Sequence, residues 1–454
     1  MADYTNHRAV VVGGSIGGLL AARILSESFA SVTVVDRDRL PDREIGRRGV
    51  PQGHHPHALL ARGREILDEL FPGLTGDLVA RGAVPVDVQN DVRSYHDGWR
   101  LRQAPSDLHG VSVSRPALEG YLRSRVAALP GVVLRTESEV TGLLADDTRS
   151  RVTGVRALVS TFGAVELPAD LVVDATGRGN RGATWLTELG YEPTPQDEVE
   201  TNVVYASRDY RRSPSDSDVA GIVVGPTIAV PRGGVALAAE GDRWMVTLYG
   251  MGKDAPPADH EGFTDFAARL PVPELHQLIQ TVEPISEVRR MRIPTSIRRR
   301  YERLDRFPDG LIVFGDALCQ FNPTYAQGMT VAASEAIVLR ESLQHGTRGL
   351  ARRFFRQAAR VVDVAWDMST GADLRFPSVR GNRPARVRFV NAYAARVQAA
   401  AAVDPVVGYA FLSVANLTAP PQKLFSPGIL ARVLRTGRPA PRHTVADTSL
   451  AVEP

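Results

Sequence analysis

Two stretches of the chain hold residues suited to gripping a nucleotide. From Ala9 to Leu25 the sequence reads AVVVGGSIGGLLAARIL. Gly13, Gly14, Gly17 and Gly18 make a turn with little side chain to hold a ligand off the backbone. The helix that follows starts with unpaired N–H groups at the positive end of its dipole, which suits phosphate. Ser15 stands where a second glycine normally allows close approach of a pyrophosphate; serine is small and Gly14 is adjacent, so the change is tolerated. Asp36, followed by Arg37, lies 23 residues after Gly13 at the end of a second apolar run, where a ribose-binding carboxylate is expected. The second stretch, Leu311 to Ala336, reads LIVFGDALCQFNPTYAQGMTVAASEA. Gly315 permits close approach, Asp316 can accept a hydrogen bond from a polyol hydroxyl, and Gly328-Met329 opens another helix after a loop holding Pro323 and Tyr325. Midway, Asp174-Ala175-Thr176-Gly177 closes a further apolar run and reads as a second pass by the same ligand.

Ordinary elements must position these turns. Ala9–Val12, Ser31–Val35, Leu171–Asp174 and Leu311–Phe314 are short apolar runs of the kind buried on both faces of a parallel sheet. A helix is expected from Ala58 to Leu70, and another from Arg115, with Pro116 in its first turn. Val132–Arg135, Glu139–Leu144 and Val152–Val159 follow one another so closely that they read as an antiparallel meander. Val84–Arg102, with a turn at Asp97-Gly98, and Thr201–Gly250 alternate as strands of another sheet. Trp244, Tyr249 and Met251 are possible lining residues there, with core packing the plainer reading of each. Arg289–Arg306 is read as a solvated basic surface, and the chain beyond Glu341 as helical.

Length and composition bound the possibilities. A chain of 454 residues, 43% hydrophobic and 23% charged, can bury two or three domain cores. A net charge of +3 is too mild to point to nucleic acid. One cysteine, Cys319, excludes an internal disulfide and fits a reducing cytoplasm. No uncharged apolar run approaches the roughly 20 residues that span a bilayer. His54, His55 and His57 are crowded and lack acidic partners, so no metal site is expected from them; they are read as loop residues near the nucleotide.

The glycine turn with Asp36, the Asp174–Gly177 stretch, and Gly315-Asp316 with Pro323 and Gly328 together resemble the three FAD motifs of single-component flavin monooxygenases, in order, over residues 8–345. In that family the middle motif often reads Asp-Gly followed by a serine and an arginine; here it is Asp174-Ala175-Thr176-Gly177-Arg178, closer to the epoxidase and reductase branches. RRGVPQGHHPHALLARG and the third motif look most like the bacterial olefin epoxidases of polyether biosynthesis and like squalene epoxidase. The resemblance implies an α/β fold: a Rossmann-like FAD-binding domain with a three-stranded meander (residues 1–81, 106–184 and 302–345), an antiparallel-sheet substrate domain (82–105 and 185–301), a C-terminal helical region (346–441) and a flexible tail (442–454). It implies that Arg47 or Arg48 and Arg115 approach the pyrophosphate or ribityl chain, that Val140 meets the adenine through its backbone, and that Asp316 holds ribityl hydroxyls. Pro323, Gly328 and Met329 would flank the flavin, with the positive helix end stabilising charge on the reduced ring. Gln52, Tyr249, Met251 and Tyr325 are further candidates for the flavin face and pocket. The implied activity is transfer of one atom of O2, through a flavin hydroperoxide, to a small apolar substrate (a polyene, isoprenoid or aromatic), with NADPH or NADH as electron donor directly or through a flavin reductase. A carrier protein is a further possible partner. Olefin epoxidation leads, with aromatic hydroxylation, a geranylgeranyl-type reductase and an FAD-binding redox sensor as alternatives. A halogenase ranks low, because Trp99, Trp185, Trp244 and Trp366 are isolated and no Trp-x-Trp occurs.

Overall fold

Short, wholly apolar strands need cover on both faces, and in the computed structural model they find it in one parallel sheet. The structure describes residues 6–40, 47, 49–160, 163–179 and 181–436; the sequence-based assignments to Arg48 and to the tail 442–454 lie outside them. The chain divides into two compact units, one drawn from residues 1–83, 113–200 and 294–372, the other from 84–112, 201–293 and 373–454. These divisions differ from the boundaries expected at 184/185 and 301/302. Helix Arg181–Glu188 belongs to the first unit, and the helices after Glu341 are shared out at residue 372.

In the first unit five parallel strands stand in the order Leu311–Val313, Leu171–Asp174, Arg8–Val12, Ser31–Val35 and Val132–Arg135. Their register puts Val12 beside Asp174 and Val35, and Asp174 beside Val313, so the strand ends lie side by side. The expectation that Val132–Arg135 opens the meander is corrected: it pairs parallel with Ser31–Val35. Helix Arg115–Ala127, just before it, is the crossover that a parallel neighbour requires. The meander is instead Ser138–Ala145, Val152–Val159 and Gly163–Pro168. Its last strand is mostly exposed and has no apolar run to betray it. The helix expected from Ala58 begins at Ala61, after a two-residue strand. The reading of Arg289–Arg306 as a solvated surface is also corrected at Arg298, Arg299 and Arg300. Arg298 and Arg299 are buried, Arg298 opposite Asp363 and Glu302, and Arg300 pairs with Asp197 and Asp363. Carboxylates on neighbouring elements take the charges out of solvent.

The second unit holds a sheet that runs Gln196–Arg211, Arg243–Met251, Arg232–Ala239, Gly221–Val224, Val92–His96 and Trp99–Arg100, entering at residue 201. The pairing is antiparallel except where Gly221–Val224 lies parallel to Val92–His96. One face packs Trp244, Tyr95 and Tyr210 against helices His260–Ala268 and Glu274–Thr281. A separate cluster joins Leu101 and Leu108 to helices Ala385–Ala401, Pro405–Ala415 and Pro427–Arg435. Among the described residues no helix is long and apolar enough to cross a membrane.

The turn after the first strand tolerates almost nothing. Gly13 has φ +107°, and a Cβ on Gly18 would lie 1.8 Å from the Gly13 carbonyl oxygen. Gly18→Ala therefore has to move backbone. It is expected to cost about 2–3 kcal/mol or more in urea-unfolding midpoint measurements; an unchanged midpoint would show that the turn has slack.

Candidate cofactor-binding site

The side-by-side strand ends become a site because the turns leaving them touch. The Gly13 N–H donates to the Val35 carbonyl, Ala175 N–H to Val12 and Phe314 N–H to Asp174, at 2.8, 2.9 and 2.9 Å. Around these bonds the three sequence motifs close on one another. A Cβ on Gly315 would lie 3.9 Å from Gly17 Cα, one on Gly177 3.9 Å from Asp316 Cβ, and one on Gly328 3.9 Å from Asp316 Oδ1. Gly177 and Gly315 both have positive φ, +65° and +67°. Asp316 is part-exposed, 3.9 Å from the Arg178 guanidinium. Met329 and Tyr325 are half-buried and Pro323 exposed on the loop and helix start beside it; Gln52 is half-buried on the short helical turn Pro51–His54.

Two of the predicted ligands are turned to structural use. The Asp174 side chain is fully buried, and its carboxylate accepts from the N–H and hydroxyl of Thr176 at 3.0 and 2.6 Å, holding the turn. Burial raises its pKa, although Thr176 opposes the shift. Asp36 is 7% exposed and already accepts from Gly14 N–H at 2.7 Å and Asp38 N–H at 2.8 Å. It therefore pins the glycine turn directly. Val140, buried in its strand, is carried to this edge because Ser138 N–H donates to the Asp36 carbonyl. Arg37 is exposed.

Around Asp36 lies a charge cluster. Arg47 Nε donates to Glu119 at 2.8 Å, and its other nitrogen lies 2.9 Å from Asp38 and 3.3 Å from Asp36. Arg115 Nε reaches Glu119 at 3.3 Å and donates through its terminal nitrogen to Ser15 at 2.9 Å, while Ser15 donates to Glu119 at 2.9 Å. A small cleft opens between Arg47, Val50, Arg115, Pro116, Glu119 and Arg123. Burial alone would raise the Glu119 carboxyl, but Arg115 and Arg47 more than offset it and the pKa falls below the ordinary value. Burial opposes the charge on Arg47, and Glu119 with Asp36 raises its pKa despite that. Ser15, a departure from the usual glycine, is thus a partner for Glu119. Glu119 itself escaped the sequence reading, although its position four residues after Arg115 and four before Arg123 was a signal.

A second missed carboxylate is Glu335, fully buried in helix Gly328–Leu343, which accepts the Gly315 N–H at 2.7 Å. Burial pushes it up to about 7, against the Gly315 hydrogen bond and nearby Arg298. An acid inside an alanine-rich run was its trace in the sequence. The remaining candidates, Tyr249 and Met251, belong to the second unit, both buried. Tyr249 lies against Tyr205, ring centroids 5.9 Å apart, and over Gly233, where a Cβ would clash with the phenol.

Bare turns, two arginines beside Ser15, and a part-exposed carboxylate next to a helix start form a donor set that suits a diphosphate and a polyol, and so fits FAD. A family model described as an FAD binding domain matches residues 6–355. Protein Rv3254 of Mycobacterium tuberculosis (strain ATCC 25618 / H37Rv) is 34% identical over 428 residues, 89% of this chain and 88% of that one. Kynurenine 3-monooxygenase of Salinispora arenicola (strain CNS-205) is 28% identical over 403 residues, 81% and 80% of the two chains. Among solved structures, a flavoprotein/dehydrogenase from Cytophaga hutchinsonii superposes with TM-score 0.68 at 15% identity, over 94% of this chain and 96% of that one, a likeness of fold. The chain belongs to the FAD-binding-domain family, and within it to the single-component FAD-dependent monooxygenases.

Proposed function

We propose that the protein transfers one oxygen atom from O2 to the double bond of a small apolar substrate, drawing electrons from NADPH or NADH directly or through a reductase. Bound FAD, once reduced, supplies the activation of oxygen. The chain's own residues bind, orient and exclude water. Arg47 and Arg115 face the phosphates, held in direction by Glu119; Asp316 accepts a ribityl hydroxyl; the N–H groups opening helix Gly328–Leu343 hold negative charge at the ring. Gln52, Pro323, Tyr325 and Met329 line the reacting side.

The observation that carries the epoxidation reading is the character of the candidate flavin-face loops. Hydroxylating a phenol is helped by a base that takes the phenolic proton. Gln52, Pro323, Tyr325 and Met329 include no carboxylate and no histidine. His57, on the neighbouring loop, is pushed down to about 3 by burial and then by Arg115, and its Nδ1 lies 2.7 Å from the His55 carbonyl. A histidine of that pKa is a poor proton acceptor. An alkene needs none, and orientation in an apolar chamber supplies most of what it requires. Aromatic hydroxylation is the second reading, favoured by the kynurenine 3-monooxygenase relatives.

The purified protein is expected to be yellow, with about one releasable FAD per chain. Asp316→Ala is expected to weaken FAD binding in fluorescence titration by on the order of 1.5–3 kcal/mol, tenfold or more; unchanged affinity would remove Asp316 from the site.

Glu119→Gln leaves Arg47 and Arg115 without their counter-charge and is expected to destabilise the protein at pH 7 by on the order of 3 kcal/mol in urea unfolding. Because the folded pKa of Glu119 is depressed, its contribution is fully present above the unfolded value of about 4.3 and lost as pH falls through the folded one. The gap between wild type and variant should therefore close on acidification below about pH 4. A gap independent of pH would mean that the charge of Glu119 is not what matters.

With 18O-labelled oxygen gas, a panel of polyenes and phenols, and NADPH, the labelled product should be an epoxide carrying one heavy atom. Turnover of phenols alone would move the assignment to hydroxylation. NADPH oxidation that no substrate accelerates would leave a flavin-binding sensor.

A further inference from the structure

Helix Gly328–Leu343 buries an acid among its alanines, Glu335, which has no exposed surface. Its Oε2 accepts the Gly315 N–H at 2.7 Å, and its Oε1 is buried without a hydrogen-bond partner. A carboxylate so placed has given up its water for a single donor, and holding a negative charge there is costly. The cation that acts on it, Arg298, is itself buried and already engaged, 3.3 Å from Glu302 and 3.4 Å from Asp363. Asp316, one residue beyond Gly315, has the same sign as Glu335 and opposes its ionisation. Burial holds the neighbouring Cys319 as a neutral thiol. Helices Ile16–Leu25 and Ala61–Leu70 also pack against this helix and keep their charges in pairs: Arg23 with Glu27, Arg62 with Glu65, Arg64 with Asp68, and Glu69 with Arg340. Burial therefore leads, and Glu335 is pushed up to about 7.

We propose that Glu335 is a proton-linked positioning residue of the cofactor site: its protonated form favours FAD, and binding near neutrality draws a proton from solvent onto it. The inference rests on the assignment of Asp316 and its turn to FAD. The geometry admits the proton without rearrangement. It can sit on Oε1, which no other group occupies, while Oε2 goes on accepting from Gly315 and holding the turn. What changes is the charge. FAD brings a diphosphate to a turn that already carries Asp316, and an ionised Glu335 behind Gly315 opposes it through a poorly screening interior. By the same linkage, an anionic ligand raises the pKa of Glu335. Affinity is then highest below about pH 7 and declines as pH rises through it. His55 and His57, pushed down to about 4 and about 3, stay neutral across this range.

The test is serial dilution of the FAD-loaded full chain from about pH 6 to about pH 8, read by the fluorescence of released flavin. Wild type is expected to bind FAD several-fold more weakly at the upper end. Glu335→Gln keeps an acceptor for the Gly315 N–H and cannot ionise, so it should hold the tighter affinity throughout. Calorimetry of FAD binding in buffers of different ionisation enthalpy should show proton uptake by wild type that the variant lacks. A flat wild-type profile without proton uptake would overturn the proposal, even if the variant failed to fold. A pH dependence that Glu335→Gln retains in full would assign the proton to another group and overturn it. A variant weakened equally at every pH would reduce Glu335 to a structural role, with the same consequence. Failure of wild type to hold FAD at any pH would remove the cofactor assignment, and the inference with it.

Discussion

A row of backbone hydrogen bonds across the ends of four parallel strands is the constraint from which the rest of this site follows. Gly13 is tied to Val35, Ala175 to Val12 and Phe314 to Asp174. Parallel pairing fixes the register, so three sequence motifs more than a hundred residues apart must end at one edge of one sheet. Once the ends are level, the turns leaving them compete for the same space. A Cβ on Gly13 would lie 2.5 Å from the Ala175 carbonyl oxygen, and one on Gly18 closer still to Gly13. The glycines are required first by the chain's approach to itself, and the room they leave is then open to a ligand.

The same crowding explains the electrostatics. Arg47, Glu119, Asp36 and Asp38 are all largely buried, and removing such ions from water costs more than a single pairing returns. The arrangement is stable because the charges are mutually hydrogen-bonded and share partners: Glu119 serves Ser15, Arg47 and Arg115 together. What the burial gives is direction. An arginine fixed by Glu119 loses less side-chain freedom on meeting a phosphate than one waving in solvent. Glu335 plays the corresponding part beneath the third motif, where its hydrogen bond to Gly315 N–H joins the helix to the turn that carries Asp316.

What could be read from the sequence was whatever repeats at short range. The apolar strands and the glycine turns were legible because local composition alone specifies them, and their order along the chain pointed to the cofactor. Three things were not. Val132–Arg135 looked like its neighbours, and only the crossover helix before it decides that it pairs in parallel. The arginines at 298 and 299 read as surface because their carboxylate and carbonyl partners, such as Asp363 and Ala317, are distant in sequence. Asp36 and Asp174 have the residue type of ligands, yet the Asp36 carboxylate already accepts from the Gly14 and Asp38 N–H groups, and one Asp174 oxygen from the N–H and hydroxyl of Thr176. Residue type shows what a group can bind; only packing shows what it has already bound.

That distinction also bears on the chemistry of the second unit. Tyr249 and His96 are its most suggestive titratable groups, and Asp373 and Arg375 act on or beside them. Burial, and then Asp373, pushes the Tyr249 phenol well above its usual range, so it stays protonated and can donate a hydrogen bond but cannot serve as a base near neutrality. Burial, and then Arg375, pushes His96 down to about 4, which keeps its ring neutral and weakly basic. Both shifts point the same way: burial outweighs the neighbouring charges, and neither side chain ionises near neutrality. Packing has thus settled the protonation of these two groups, as it settled which hydrogen bonds Asp36 and Asp174 accept.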